Sequence, residues 1–283
     1  MSAILIITSV SAIVTQNCLF NRTCKTALKT RSHINLFNLF AYSVCVLIFG
    51  ALAISGGISL FTALLGLIFG VVTALSNLYK MLALSSGPMH ITLLVTTSSM
   101  IIPTLSGIFF GEKFSPLKLC VVFILIAFIY LSMQKSKGSK IQAQWILYCA
   151  LAFLFQGSVG VLQKLHQTSE YKSEVSGLLL ISFLCAVIFC IIRNRGFNKS
   201  IKLDKKTVLI GLICGVCTFL MNYINLKLSG MLPSQLFFPL VNGSAIILSS
   251  VMSIIFFKET LSKKQLIGLI GGIMSLIAIC LVP

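Results

Sequence analysis

Apolar residues run along this chain in long unbroken blocks separated by short polar interruptions. Blocks long enough to cross a bilayer, about 20 residues each, occupy roughly 2–21, 33–55, 58–84, 88–110, 116–134, 141–163, 175–192, 207–228, 232–257 and 264–282. The runs do not alternate, and each is about twice what a membrane-spanning strand needs, so the pattern predicts helices and not a barrel. The expected fold is therefore an all-α integral membrane protein with ten transmembrane helices. No basic region precedes the first block and no small-residue cleavage signal follows it, so it reads as a retained span and not a signal peptide.

The polar positions inside those blocks repeat. Gly66-Leu-Ile-Phe-Gly-Val-Val-Thr-Ala-Leu-Ser-Asn77 returns 145 residues later as Gly211-Leu-Ile-Cys-Gly-Val-Cys-Thr-Phe-Leu-Met-Asn222, identical at eight of twelve positions. Shared leucines are cheap in so apolar a chain; a shared glycine pair, threonine and asparagine are not. Pro88 and Pro233 keep the same offset, Phe109-Phe-Gly-Glu112 with Ser115 returns as Phe256-Phe-Lys-Glu259 with Ser262, and Gln16 and Cys45 are echoed by Gln156 and Cys185. The boundaries expected are a first unit over 1–134, a polar linker over 135–140 and a second unit over 141–283. Five spans per unit is an odd number, so the second copy enters the membrane from the opposite side and the repeats are inverted. Two such halves around one midplane site are the usual plan of a transporter.

Each unit closes with a helical hairpin. Ser115-Pro116 places a capping serine before a proline at the first helical position, and Ser262-Lys-Lys-Gln265 has capping-box spacing. Glu112 and Glu259 sit in these turns and read as interfacial carboxylates. The repeat, the closing pattern of Phe-Phe-x-Glu, short turn and Gly-rich last span, and Leu232-Pro-Ser-Gln-Leu-Phe-Phe-Pro-Leu-Val-Asn-Gly243 together resemble the EamA branch of the drug/metabolite transporter superfamily. That resemblance covers essentially the whole chain. It implies a central cavity between the halves, lined mainly by the first, third and fourth spans and their counterparts, and leaves the substrate open across amino acids, drugs, sugar phosphates and nucleotide sugars.

Composition agrees: 57% of the 283 residues are hydrophobic and 10% charged, and the linkers are too short for a soluble domain. The net charge of +17 does not imply a nucleic-acid partner, because the basic residues are scattered among short loops. Seventeen of the twenty-two Lys and Arg fall in loops after odd-numbered spans: Arg22, Lys25, Lys29, Arg31, Lys80, Lys135, Lys137, Lys140, Arg193, Arg195, Lys199, Lys202, Lys205, Lys206, Lys258, Lys263 and Lys264. By the positive-inside rule these loops are cytoplasmic and both termini outside; the family resemblance implies cytoplasmic termini, and orientation stays open between the two. The ten cysteines lie almost wholly inside spans, as packing residues, and Cys214-Gly-Val-Cys217 reads the same way despite its redox-motif spacing.

Candidate chemistry is confined to a few polar side chains. Gly66, Gly70, Thr73, Asn77 and Lys80 follow i, i+4, i+7, i+11, i+14 and share one helical face, as do Gly211, Gly215, Thr218, Asn222 and Asn225. The glycines admit a neighbouring helix. Thr73, Asn77, Thr218 and Asn222 are candidate substrate contacts; the alternative is that they hydrogen-bond neighbouring helices. Gln16 and Gln156 carry the same two readings. Lys80 either attracts an anionic substrate or snorkels to headgroups, and His90 with its counterpart Gln235 either contributes a titratable group or is interfacial. Pro88 and Pro233 are expected to start helices; Pro103 and Pro239 lie within spans and are candidate kinks or hinges. Gly268 and Gly272 have GxxxG spacing, for a homodimer contact or for internal packing, so monomer and homodimer are both compatible.

All five acidic residues, Glu112, Glu170, Glu174, Asp204 and Glu259, lie in loops or at helix ends. A cavity without a fixed anion does not compensate a desolvated cation, which disfavours proton/cation antiport and favours a neutral, zwitterionic or weakly anionic metabolite. No metal cluster, cofactor motif or catalytic constellation is present in the sequence, and an enzyme is the least favoured class. The leading expectation is a multi-pass plasma-membrane exporter of a small polar metabolite. A flippase of lipid-linked head groups and a non-transporting scaffold or sensor are the alternatives.

Overall fold

A computed structural model describes residues 2–28, 30–54, 57–113, 115–132, 142–194, 203–257 and 262–281. Among them every regular element is helical: α1 (Ser2–Thr26), α2 (Arg31–Ala53), α3 (Leu60–Ser86), α4 (Met89–Thr97), α5 (Ile101–Ser106), α6 (Pro116–Ser132), α7 (Ala143–Thr168), α8 (Val175–Asn194), α9 (Lys205–Met231), α10 (Ser234–Phe257) and α11 (Lys263–Leu281). Seven helical stretches are long and apolar enough to cross a membrane; α6 and α10 contribute shorter apolar cores, Leu119–Phe128 and Ser234–Ser249. Leu47, Leu60, Leu209 and Ile267 are exposed on the outer faces, as a lipid solvent requires. Lys29, Lys135, Lys137, Lys140, Arg195, Lys199, Lys202, Lys258, Glu259, the linker 135–140 and the His90 side chain lie outside the described residues.

Helix starts follow the local sequence. The hydroxyls of Thr30 and Ser59 accept from the backbone N–H of His33 and Thr62, and Asp204 accepts from that of Thr207. Each satisfies an amide that would otherwise lack a partner, a contribution of about 1 kcal/mol. The expected capping box forms in full: Ser262 N–H donates to Gln265 Oε1 at 2.8 Å and Gln265 N–H to Ser262 Oγ at 3.3 Å. The start of α3 is also clipped to the α7–α8 turn, where Glu174 accepts from the Ser59 amide and hydroxyl. Partial desolvation pushes the Glu174 carboxyl up, but the bonds from Thr62 and Ser59 outweigh it and hold the group below its ordinary value.

Two spans run further than hydropathy indicates. α1 continues to Thr26 through Asn21, Arg22 and Lys25, whose charged side chains are exposed, and α7 to Thr168 through Lys164 and His166, which are buried. The fourth block is not one helix. It is α4, a 3-10 turn over Ser98–Met100, α5, and a second 3-10 turn over Gly107–Phe110, closed by Gly111 in the left-handed region at φ 73°. Pro103 has no N–H for the carbonyl of Ser99, and the break sits directly before it. Pro239, by contrast, lies inside the continuous α10, and Pro88 and Pro233 immediately precede α4 and α10.

The packing is crosswise. α3 lies against α7 and α8, α9 against α1 and α2, α2 against α8, and α6 against α11 at the periphery. The glycines make this possible. A Cβ at Gly70 would collide with the Ser182 carbonyl of α8, and one at Gly215 would stand 2.6 Å from the Ala41 carbonyl of α2. Gly66 and Gly211 differ: a Cβ would meet Ile181 at 3.0 Å in the first case and Phe37 at 3.5 Å in the second. On α11, Gly272 faces Leu125 of α6, and Gly268 borders a small apolar void with Leu94, Leu125, Ile246 and Ile247.

Candidate functional site

The polar face of α3 turns into the centre of the bundle because its glycines draw α8 close on the same stripe. Across from it, α9 does the same against α2. Between them lies a cavity lined from α1 (Ile13, Gln16), α3 (Asn77, Lys80), the broken fourth segment (Thr96, Thr97, Ser99, Met100, Pro103), α7 (Gln156, Gln163), α9 (Asn222, Asn225) and α10 (Phe237, Phe238, Asn242). Its volume is about 70 Å³, against about 10–15 Å³ for a single water, so it holds several waters or a small solute.

The bonds around it are specific. Asn77 Nδ2 donates to the Tyr42 hydroxyl of α2 at 3.0 Å. Lys80 Nζ donates to Asn17 Oδ1 of α1 at 2.7 Å, so it does not snorkel outward. On α9, Asn222 Nδ2 donates to the Thr218 carbonyl of its own helix at 2.9 Å, and Asn225 Oδ1 accepts from Ser9 Oγ of α1 at 2.5 Å. Gln16 Nε2 donates to Thr218 Oγ1 at 2.5 Å, while Gln156 Oε1 accepts from Ser76 Oγ at 2.8 Å. The two glutamines thus bind the two polar helices crosswise.

Of the sequence candidates, Gln16, Asn77, Lys80, Pro103, Gln156, Asn222 and Asn225 are brought together around the cavity. Thr73 and Thr218 are not among its lining residues: Thr218 also bonds back to the Cys214 carbonyl at 2.8 Å, and the buried Thr73 hydroxyl has no partner. Gln235 faces elsewhere, accepting from the Ser115 amide and donating to the Lys113 carbonyl, and so pins the turn before α6. Pro88, Pro233 and Pro239 also lie off the lining. Thr96, Thr97, Ser99, Gln163 and Asn242 were not singled out from sequence. Gln163 follows Gln156 by seven residues on one helical face, a signal that was there to read; the hydroxyl run reaches the cavity through the 3-10 break, which periodicity does not announce.

A second polar cluster sits at the end of α7. Lys164 pairs with Glu112 and donates to the Ser229 carbonyl at 3.0 Å, and Glu112 Oε2 accepts from the Ser234 amide at 2.8 Å. Glu112, read from sequence as an interfacial turn residue, therefore ties the α5–α6 turn to α7 and caps the start of α10. No group of three His, Cys, Asp or Glu converges among the described residues, and the described cysteines, including Cys214 and Cys217, are unpaired thiols. The cavity offers amides, hydroxyls and one ammonium: groups that bind and release a polar solute.

Residues 143–281 match the EamA-like transporter family. No curated protein matches the chain in sequence. A solved crystal structure superposes with a TM-score of 0.71, covering 99% of this chain and 96% of that one at 13% identity; at that identity the likeness speaks for the fold alone.

Proposed function

We propose, for a chain that belongs through residues 143–281 to the EamA-like transporter family and is thus a multi-pass membrane transporter of the drug/metabolite type, that it carries a small polar metabolite outward across the plasma membrane. The proposed machine is ten spans in two inverted five-helix units, 1–134 and 141–283, which alternate the access of the central cavity between the two sides. Substrate shifts the balance between the two conformations only by binding one better than the other. The observation that carries this reading is the convergence of Gln16, Asn77, Gln156, Gln163, Asn222, Asn225 and Asn242 from five helices on one cavity. An amide has two donors and an acceptor oxygen, and the protein bonds of Gln16, Asn77, Gln156, Asn222, Asn225 and Asn242 use only part of that capacity, which leaves the rest for a polar solute. Asn77 and Asn222 are the first substrate contacts; Thr73 and Thr218 act behind them.

The test is release of a mixed pool of amino acids, sugars and organic acids from liposomes containing the purified protein. At least one solute leaves faster than from protein-free liposomes, and Asn77→Ala with Asn222→Ala slows it at least tenfold while the protein keeps its unfolding temperature. Movement of a labelled lipid head group with no solute release overturns this in favour of a flippase. One feature favours that second reading: an apolar groove of about 540 Å³ between α1 and α10, lined by Cys18, Leu19, Met252 and Phe256 with Arg22 and Lys25 at its rim. It shares no lining residue with the central cavity.

A further inference from the structure

Lys80 is the only charged residue among those lining the central cavity. Its ammonium has three N–H donors, and the structure gives it one hydrogen-bond acceptor, Asn17 Oδ1 at 2.7 Å. The orientation of that acceptor is fixed from behind, because Asn17 Nδ2 donates to Ser249 Oγ of α10 at 3.0 Å. The face of Phe20 lies 5.9 Å from the same nitrogen, a further weak attraction for a cation. Asn17 is itself 1% exposed. This is a built cationic pocket: α1 and α10 hold one carbonyl oxygen against the ammonium, and its remaining donors have the cavity before them.

Among the described residues no carboxylate pairs with it. The lining contains Gln, Asn, Thr and Ser but no Asp or Glu, and the carboxylate of Glu112 is taken up by Lys164 and the Ser234 amide. A desolvated ammonium without a counter-charge is unfavourable, and its relief must come from whatever enters the cavity. The rest of the wall is neutral. Asn225 accepts from Ser9, and Asn242 Nδ2 donates to the Phe238 carbonyl, leaving its Oδ1 as an acceptor. Hydroxyls and carbonyl groups of a solute suit these side chains; a second full charge of either sign finds no complement among them.

We propose that the central cavity is an anion site and that the solute is a small organic monoanion. Its carboxylate pairs with Lys80, and its uncharged polar remainder lies against Asn77, Gln156 and Asn222. The sequence counterpart of Lys80 is the neutral Asn225, so the charge is fixed at one end of the cavity and orients the solute within it. The substrate assignment rests on the transport reading of the cavity; the binding site does not.

The test separates the two. Thermal unfolding of the purified protein in detergent is followed with acetate, lactate and pyruvate as monocarboxylates, glycine as a zwitterion, glycerol as a neutral solute and choline as a cation, all at matched ionic strength. At least one monocarboxylate raises the unfolding temperature in a saturable way, and choline and glycerol do not. Lys80→Met weakens that binding at least tenfold, Lys80→Gln does the same should the methionine variant not fold, and Lys80→Arg retains it. The proposal is overturned by a monocarboxylate shift that survives in Lys80→Met and Lys80→Gln, by no monocarboxylate shift at all, or by glycine or choline binding as well as the monocarboxylates. In liposomes, carboxylate binding without movement removes the transport reading and leaves the anion site. Movement of a neutral solute without carboxylate binding does the reverse.

Discussion

Lys164 and Lys80 are both drawn into the bundle from long helices, and their surroundings differ in the respect that decides what an interior ammonium does. Lys164 is saturated: a carboxylate and the Ser229 and Leu232 backbone carbonyls occupy its three donors, and the carboxylate also caps the next helix. Lys80 has an amide oxygen, a ring face and a cavity. The first holds three segments of chain together; the second keeps bonding capacity in reserve. Among the described residues the acid that completes one pair is absent from the other, and a fixed partner at Lys80 would compete with any anion entering the cavity.

The largest effect expected of this contrast is at the saturated site. Glu112→Gln leaves Lys164 buried without its counter-charge and costs about 3–5 kcal/mol, measured as a loss of unfolding free energy in mixed micelles. Adding Lys164→Met recovers most of it; a loss below about 1 kcal/mol would place Lys164 in the same class as Lys80. Next, Asn17→Asp gives Lys80 the carboxylate it lacks and makes it resemble Lys164. Ser249 can donate to the new side chain, so the fold is kept, while monocarboxylate binding in the thermal-shift assay falls at least tenfold, about 1.4 kcal/mol. Unchanged binding there would break the comparison. The smallest effect is on stability at the unsaturated site: Lys80→Met changes the unfolding free energy by no more than about 1 kcal/mol, the order of a single hydrogen bond, because no buried charge is left behind.

Much of this was legible in the sequence, and the reason is lipid. In hydrocarbon a spanning helix advertises itself as a continuous apolar run, and any amide inside it stands out. Hence Asn77 and Asn222, and the glutamines at Gln16 and Gln156, could be found by spacing alone, and the resemblance indicated which spans would line the cavity. The glycine stripes likewise marked faces that a neighbouring helix approaches closely, though not which helix. What spacing could not give was direction at finer scale. Thr73 and Thr218 share the stripe with the asparagines but lie off the cavity lining, since one turn is enough to move a short side chain off the wall. Gln235 was assigned from its symmetry to His90, yet its bonds go to the turn before α6. The Glu112–Lys164 pair joins distant stretches of chain with no periodic signature, and the 3-10 break at Ser98–Met100 depends on how Pro103 is accommodated, which in α10 Pro239 achieves without a break.

The contact of Gly70 with the Ser182 carbonyl bears on how the protein is made. The partner of the α3 groove belongs to α8, and the partner of the α9 groove belongs to α2. During synthesis α3 enters the bilayer before α7 and α8 exist, so its glycine groove and the Ser76 hydroxyl, which donates to Gln156, face lipid or each other until those helices have been inserted. The earlier and later helices finish each other's packing, and a chain truncated before α7 would leave a nascent intermediate with a polar seam open to the membrane, a natural substrate for membrane quality control.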